Sequence, residues 1–189
     1  MVKELTLNLA EGIDDGTFLE RTAARGIICH KGKYLVILGK YGDCKFPGGG
    51  MEQGESLQDT LLREVREETG FHVISETIRE GYLVHEKRKG EPEDILIMDS
   101  YYYFCDVERT SGEQELDDYE AEYGYEVHWL SLEEMIARNE HIQDYSKVPS
   151  SDIRYTVTDS AGTITTVIAP ACSRRRASRH HTFSGRTGR

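Results

Sequence analysis

The chain has 189 residues, of which 38% are apolar, and this suffices for one domain with a hydrophobic core plus an extension. All 34 acidic residues lie at or before Asp159, whereas six of the 23 basic residues lie after it, so the formal charge of −11 is unevenly spread. The body, residues 1–159, carries 17 basic against 34 acidic residues, and this charge of −17 disfavours nucleic acid and anionic membranes as partners.

Neither the cysteines nor the N-terminus is typical of a secreted or membrane protein. The four cysteines, at positions 29, 44, 105 and 172, form no CxxC pair, so their spacing favours neither a zinc site nor a disulfide framework. The start, MVKELTLNLAEGIDD, lacks a basic segment followed by an apolar one, and no apolar run approaches about 18 residues. We expect a soluble cytoplasmic protein.

The first half of the chain predicts strands followed by a helix. VKELTLNL alternates weakly and predicts an opening strand, and ARGIICH and KYLVILGK predict a β-hairpin joined by Lys-Gly at 31–32. A helix is expected over residues 56–69, where Ser56 and Asp59 resemble a capping box and Gly70 is a typical helix stop.

The second half predicts further strands and one more helix. FHVISETI, GYLVHEK and DILIMDSYYYFCDV have strand character, and the turn-rich RKGEPED links the last two. SGEQELDDYEAEYGY reads as an acidic loop, after which EVHWLS predicts a strand that leads into the helix SLEEMIARNE, capped by Ser131 and Glu134.

The sequence signals for strands and helices weaken from about residue 146. TVTDSAGTITTVIAP is compatible with a pair of strands, whereas the basic segment from about residue 171 has no apolar periodicity and is predicted to be disordered. We therefore expect one domain over residues 1–145 and a C-terminal extension over residues 146–189.

The end of the first helix, REVREETG, carries acidic residues where a helix favours basic ones. A helix C-terminus has a partial negative charge, and glutamates four residues apart repel each other. On a helical wheel with Leu57 at 0°, Glu64, Glu67 and Glu68 fall at about 340°, 280° and 20°, beside the apolar stripe. The three carboxylates therefore converge on one side of the helix.

Two interpretations of this acidic arc remain open on composition alone. The carboxylates either form a solvated charged face, which is the commoner role of charge runs, or hold a hard divalent cation. Oxygen ligands favour Mg²⁺, with Mn²⁺ as an alternative, because no thiolate or histidine cluster competes. Arg63, at about 240° on the wheel, can hydrogen-bond to Glu67 and orient its carboxylate.

The upstream sequence favours the metal interpretation. Residues 49–71, GGMEQGESLQDTLLREVREETGF, resemble the signature of the Nudix hydrolases without departure. The probability of such a chance match in a chain of this length is on the order of 10⁻⁷. The matching positions are Gly49, Glu55, Arg63, Glu64, Val65, Glu67, Glu68, Gly70 and Phe71.

This resemblance, with its flanks, covers roughly residues 20–143 and implies an α+β fold. The family fold is an α/β/α sandwich with a mixed β-sheet between helices. The resemblance also implies that Glu64, Glu67, Glu68 and the backbone carbonyl of Gly49 bind the metal, while Glu55 and Arg63 orient the cluster.

The reaction implied is metal-dependent hydrolysis of a diphosphate linkage in a small nucleotide, a nucleoside diphosphate joined to another group. Glu64 is our first choice for the general base. Some family members take a further base or ligand from a loop before the final helix, where this chain offers Glu115, Glu120 and Glu122. A solvated acidic loop is the alternative for each of these three residues.

Substrate recognition is less evident in the sequence. Arg21 and Arg25 are candidates for contacts with a distal phosphate, although exposed arginines often have no such role. Tyr101, Tyr102, Tyr103 and Phe104 alternate faces along one strand, so core packing competes with base stacking as their role.

Two other functions remain as alternatives to hydrolysis of a small nucleotide. An RNA 5′-end pyrophosphohydrolase is disfavoured by the acidic body, although the basic tail offers an RNA contact. A nucleotide-sensing module without turnover would be expected to have lost a metal-binding glutamate, and all three are present. Members of the family are commonly homodimers, and the sequence leaves a monomer equally open.

Overall fold

The computed structural model describes residues 2–8, 15–90, 92–142, 156–157 and 164–165. The helices are α1 (Leu57–Thr69), α2 (Asp118–Tyr123) and α3 (Leu132–Glu140). The strands are β1 (Lys3–Asn8), β2 (Phe18–Ile27), β3 (Cys29–His30), β4 (Lys33–Leu38), β5 (Cys44–Lys45), β6 (Gly48–Gly50), β7 (Phe71–Val73), β8 (Arg79–Lys89), β9 (Ile95–Phe104), β10 (Val107–Ser111), β11 (Glu126–Leu130), β12 (Thr156–Val157) and β13 (Ile164–Thr165).

A five-stranded mixed sheet with the order β1-β8-β9-β2-β6 forms the centre of the fold. The pairs β1–β8 and β2–β9 are parallel, whereas β8–β9 and β2–β6 are antiparallel. A second sheet contains β11, β4, β3 and β5. The glycine strand β6 lies at an edge of the central sheet, which places the loop before α1 beside β2.

Helices lie on both faces of the central sheet. On one face, Leu61 and Val65 of α1 are fully buried against Ala24 of β2, and burial of such side chains contributes roughly 1.5–3 kcal/mol each. On the other face, Met135 of α3 joins the cluster that contains Tyr102 of β9. The predicted α/β/α sandwich with a mixed sheet is thus confirmed.

Most predicted elements are present, with two differences. The segment FHVISETI is a strand only over Phe71–Val73, and Ser75–Thr77 form a 3-10 helix. Lys31 and Gly32 both have positive φ (50° and 76°), as a tight hairpin turn requires, and β12 pairs with β13 where the strand pair was expected. The acidic segment predicted as a loop contains α2, which begins with a capping box between Asp117 and Glu120 and ends at Gly124 in the left-handed conformation.

The predicted boundary near residue 145 and the predicted disorder from about residue 171 lie outside the described residues, so both stay predictions. No helix in the described part of the chain is long and apolar enough to cross a membrane.

Candidate active site

Helix α1 carries the acidic residues, and its two ends are defined by local interactions. The Ser56 hydroxyl accepts a hydrogen bond from the backbone N–H of Asp59, whose side chain accepts one from the backbone N–H of Ser56. Gly70 ends the helix in the left-handed conformation with a φ of 70°, which glycine adopts without steric cost. These caps hold the acidic turns of α1 next to the glycine strand β6.

Arg63 connects three carboxylates, those of Glu55, Glu64 and Glu67, into one cluster. Its guanidinium binds both oxygens of Glu55, at 2.6 and 3.0 Å, and its Nη1 donates to Glu64 at 2.9 Å and to Glu67 at 3.0 Å. Its Nη2 also donates to the backbone carbonyl of Gly50 at 3.1 Å. The predicted contact between Arg63 and Glu67 is present, and the same guanidinium ties three carboxylates to the glycine loop.

The ion pair with Arg63 determines the protonation of Glu55. Its hydrogen bonds with Arg63 lower the pKa of the Glu55 carboxyl to about 2 against the opposing effect of desolvation, and they raise the pKa of the guanidinium. Glu55 is therefore charged over the whole physiological range. A bidentate pair of this kind is rigid, so Glu55 orients Arg63, and Arg63 in turn orients Glu64 and Glu67.

Glu64 lies against Gly49 of the glycine strand, and the pKa of its carboxyl is raised. A Cβ atom at Gly49 would overlap the Glu64 carboxylate, so a residue without a side chain is needed at that position. Burial, followed by the charge of Glu68, raises the pKa of Glu64 to about 7, although Arg63 and Arg25 oppose the shift. Such a carboxyl exchanges a proton near neutral pH, as a general base must.

Glu68 points away from Arg63 and is 1% exposed. Its Oε1 accepts a hydrogen bond from Lys45 Nζ at 3.0 Å, and its Oε2 accepts one from the backbone N–H of Gly48 at 2.6 Å. Lys45 also donates to the Tyr125 hydroxyl at 2.7 Å. Glu68 is thus a sealed carboxylate that fixes the start of β6.

The three sequence candidates in the acidic segment lie in different surroundings. Glu115 pairs with Arg66 at 2.6 Å on the surface, and Glu122 is exposed. Glu120 is buried, and burial together with the charge of Glu68 raises its pKa. Of the three residues, only Glu120 faces the interior beside the acidic end of α1.

The two arginines proposed for phosphate contacts also differ. Arg25 is buried, and its Nη1 donates a hydrogen bond to the carbonyl of Gly48 at 2.9 Å. This bond holds the first residue of the glycine strand in place. Arg21 is exposed, and a Cβ atom added to Gly50 would lie 2.8 Å from its Nη2. Arg21 is therefore the arginine that reaches the open side of the loop.

Among the aromatic residues of β9, Tyr102 is 3% exposed and belongs to the main core cluster, while Tyr103 packs against the cluster that contains α1 residues. Core packing is thus their observed role.

Lys45 was missed in the sequence because β5 has only two residues, too few for an alternating pattern to show which side chain is buried.

The residues around Gly49 fit a divalent cation. Glu64 and Glu67 meet at one nitrogen of Arg63, Glu64 lies against Gly49, and carboxylate and carbonyl oxygens are the ligands that Mg²⁺ and Mn²⁺ prefer. Among the described side chains, no group of three His, Cys, Asp or Glu residues converges closely enough to hold a metal. Glu68 instead binds Lys45, so metal binding by all three glutamates stays a prediction.

The chain is similar in sequence to a known domain family and to known proteins. The family model of the NUDIX domain matches residues 20–149. A protein of Bacillus subtilis (strain 168) whose name includes 8-oxo-dGTP diphosphatase YtkD is 32% identical over 127 residues, which are 67% of this chain and 73% of that protein. A Nudix hydrolase of the same strain, YvcI, is 52% identical over 33 residues, 18% of this chain and 21% of that protein.

Two solved structures resemble the fold. A NUDIX hydrolase from Nitrosomonas europaea has a TM-score of 0.52 and 21% identity, and covers 67% of this chain and 82% of that one. A MutT NUDIX hydrolase from Burkholderia pseudomallei has a TM-score of 0.50 and 17% identity, with 66% of this chain and 99% of that one covered. At these identities the likeness concerns the fold alone.

Proposed function

Because the chain belongs to the Nudix hydrolase family, we propose that it hydrolyses a diphosphate linkage in a small nucleotide with the help of a divalent metal ion. Enzymes of this family generally use divalent ions, usually Mg²⁺. The observation that carries the proposal is the partly buried Glu64 carboxyl, which is held by Arg63 and lies against Gly49.

We assign the metal ligands as in the sequence prediction: Glu64, Glu67, Glu68 and the Gly49 carbonyl. When bound, the ion neutralises phosphate oxygens and lowers the pKa of a coordinated water. Glu68 would join the ligands by exchanging one of its present contacts, with Lys45 or with the Gly48 N–H, for the ion. Lys45 then remains beside the site as a fixed positive charge.

The protein residues supply positioning and proton transfer. Glu64 is our first choice for the residue that accepts a proton from the attacking water, because its carboxylate is held by Arg63 beside Gly49. Glu55 and Arg63 hold the carboxylates in place. Arg21 is well placed to bind a phosphate, because its guanidinium lies beside Gly50 on the exposed side of the loop.

The name of the Bacillus subtilis relative favours a nucleoside triphosphate among the possible substrates. The substrate panel should therefore include oxidised and unmodified nucleoside triphosphates, nucleotide sugars and dinucleoside polyphosphates.

The test measures cleavage of each compound in this panel with Mg²⁺ present, by chromatography of the phosphorylated products, for the wild type and for Glu64→Gln and Glu67→Gln. We expect kcat to fall by about 10²- to 10⁴-fold on loss of the Glu64 base. Glu133→Gln, which changes an exposed carboxylate of α3 outside the candidate site, is the matched control and should leave turnover unchanged. The proposal fails if no diphosphate is cleaved or if Glu67→Gln is as active as the wild type.

A further inference from the structure

The segment that follows β10, residues 112–115, lies across the C-terminal end of α1. The last carbonyl groups of an α-helix have no partner inside the helix and need donors from elsewhere. The backbone N–H of Glu115 donates to the Glu67 carbonyl at 2.8 Å, and the side-chain Nε2 of Gln114 donates to the Glu68 carbonyl at 2.7 Å. Two glutamates assigned to the metal are therefore held through their backbone by the 112–115 segment.

The same segment approaches the helix stop at close range. The N–H of Gly70 takes the Arg66 carbonyl at 2.7 Å, and the N–H of Gly112 donates to the Gly70 carbonyl at 2.7 Å. A Cβ atom at Gly70 would overlap the carbonyl oxygen of Gly112. The two backbones are thus in direct contact, which leaves the end of α1 little freedom to shift.

Gln114 also connects the helix end to the sealed carboxylate of Glu68. Its Nε2 lies 3.4 Å from the carbonyl of Tyr125, whose hydroxyl accepts a hydrogen bond from Lys45 at 2.7 Å. Lys45 in turn binds the Glu68 carboxylate at 3.0 Å. Glu68 is therefore held at two points, through its backbone carbonyl by Gln114 and through its side chain by Lys45.

The chemistry at position 114 requires a neutral donor. Both partners of Gln114 are carbonyl oxygens, and an amide NH₂ group has two N–H donors, one for each. The C-terminal end of a helix carries a partial negative charge, which the carboxylates of Glu67 and Glu68 increase. The N–H groups of the 112–115 segment offset part of this charge, which explains how α1 can end in two glutamates.

We propose that Gln114 is a positioning residue of the metal site. By holding the Glu68 carbonyl, it fixes the last turn of α1 so that the carboxylates of Glu67 and Glu68 stay aligned toward one cation. Gln114 itself contacts neither metal nor substrate in this role. Precise alignment matters because Mg²⁺ demands near-ideal octahedral geometry, and residues that orient metal ligands change the affinity by about 10- to 100-fold.

This inference rests on the proposed function for the identity of the metal ligands. The competing explanation is a helix cap that only stabilises the fold. A cap of that kind would lower the free energy of unfolding on substitution, but the folded protein would bind metal as tightly as before. A positioning residue changes the metal affinity of the folded protein.

The first experiment measures Mn²⁺ binding to the full chain without nucleotide, by electron paramagnetic resonance of free Mn²⁺. Gln114→Met keeps the length of the side chain and removes both donors, so we expect the Kd for Mn²⁺ to rise by about 10- to 100-fold. Gln58→Met makes the same exchange at an exposed position of α1 and is the matched control, with no change in Kd. Circular dichroism and urea denaturation establish that each variant is folded under these conditions.

The second experiment adds Gln114→Asn, a milder variant that remains informative if Gln114→Met does not fold. It keeps the amide on a side chain one methylene shorter, so its Kd for Mn²⁺ should lie between those of the wild type and Gln114→Met. The Mg²⁺ concentration that gives half-maximal cleavage should rise in the same order. A Kd equal to that of the wild type in folded Gln114→Met or Gln114→Asn would overturn the inference, as would an equal loss in Gln58→Met.

The two proposals fail in different ways. Unchanged Mn²⁺ affinity in the Gln114 variants of an active enzyme would remove the positioning role and leave the hydrolase intact. Weakened Mn²⁺ binding in these variants, without cleavage of any diphosphate by the wild type, would remove the hydrolase and leave the positioning role. A wild type that binds no Mn²⁺ would overturn the positioning role together with the proposed metal site.

Discussion

The two sides of helix α1 hold neighbouring glutamates in opposite ways. On one side, Arg63 gathers Glu55, Glu64 and Glu67 in a partly exposed network, in which each side chain is between 12% and 30% exposed. On the other side, Glu68 is sealed with Lys45, at 1% and 6% exposure. An exposed charge keeps part of its hydration, whereas a sealed charge depends on its partner. The Arg63 side is therefore suited to chemistry, and the Lys45 side to holding the loop.

The largest expected effect is on the sealed side. Lys45→Met leaves Glu68 buried without its counter-charge, so we expect the free energy of unfolding to fall by about 3–5 kcal/mol, as measured by urea denaturation. Arg66→Met, which breaks the exposed pair with Glu115, is the control and should cost no more than about 1 kcal/mol. Similar losses in the two variants would show that burial does not distinguish these pairs.

A second substitution separates the contribution of charge from that of packing. Adding Glu68→Gln to the Lys45→Met variant removes the uncompensated charge, so part of the lost stability should return. A double variant that is no more stable than Lys45→Met would assign the loss to packing rather than to charge.

The next effect is a loss of catalytic efficiency on the Arg63 side of the helix. Arg63→Lys keeps the positive charge but cannot bind Glu55 through two nitrogens while also reaching Glu64, Glu67 and the Gly50 carbonyl. We expect kcat/KM to fall by about 10- to 100-fold, as is typical when a residue that orients metal ligands is replaced. Unchanged kcat/KM would contradict a positioning role, and Arg66→Lys, one helical turn away and outside the cluster, serves as the control.

The last effect is a pH dependence of the metal-free protein. Because the pKa of Glu64 is raised to about 7, the folded protein holds a proton that the unfolded chain loses near pH 4.5. The unfolding free energy should therefore decrease as the pH rises from about 4.5 to about 7, by at most about 3 kcal/mol for this group. Urea denaturation across this range should show a shallower slope for Glu64→Gln, and Glu86 and Glu120, whose pKa values are raised in the same direction, contribute to the slope that remains. An unaltered slope in Glu64→Gln would contradict the prediction.

The sequence was sufficient for elements whose signals are local. The hairpin turn at 31–32, the caps of α1 and α3, and the stop at Gly70 each depend on residues within about four positions of one another. Helix α2 had the same kind of signal, a capping box from Asp117 to Glu120 and a final Gly124, but its acidic composition favoured a loop. Capping residues therefore indicate this helix more directly than the composition of the segment does.

Glu68 is buried, which agrees with its wheel position of about 20° next to Leu57, whereas the sequence prediction placed all three carboxylates together beside the apolar stripe. Its partner did not follow from any sequence pattern. Lys45 is 23 residues away on a two-residue strand, and only the packing of β5 beside α1 brings the ammonium to the carboxylate.

The sequence by itself therefore determined the family and the helix that carries the acidic residues, since both are encoded by short spacings. That the glycines before this helix form strand β6 was decided by their pairing with β2. Tertiary structure decided which charges are sealed, which arginine reaches the open side of the loop, and that Gln114 lies at the end of α1. These relations depend on which strands and segments pack together, and they join residues tens of positions apart. Local preferences carry no information on such pairings, because the hydrophobic pattern of a strand specifies its buried face but not its neighbour.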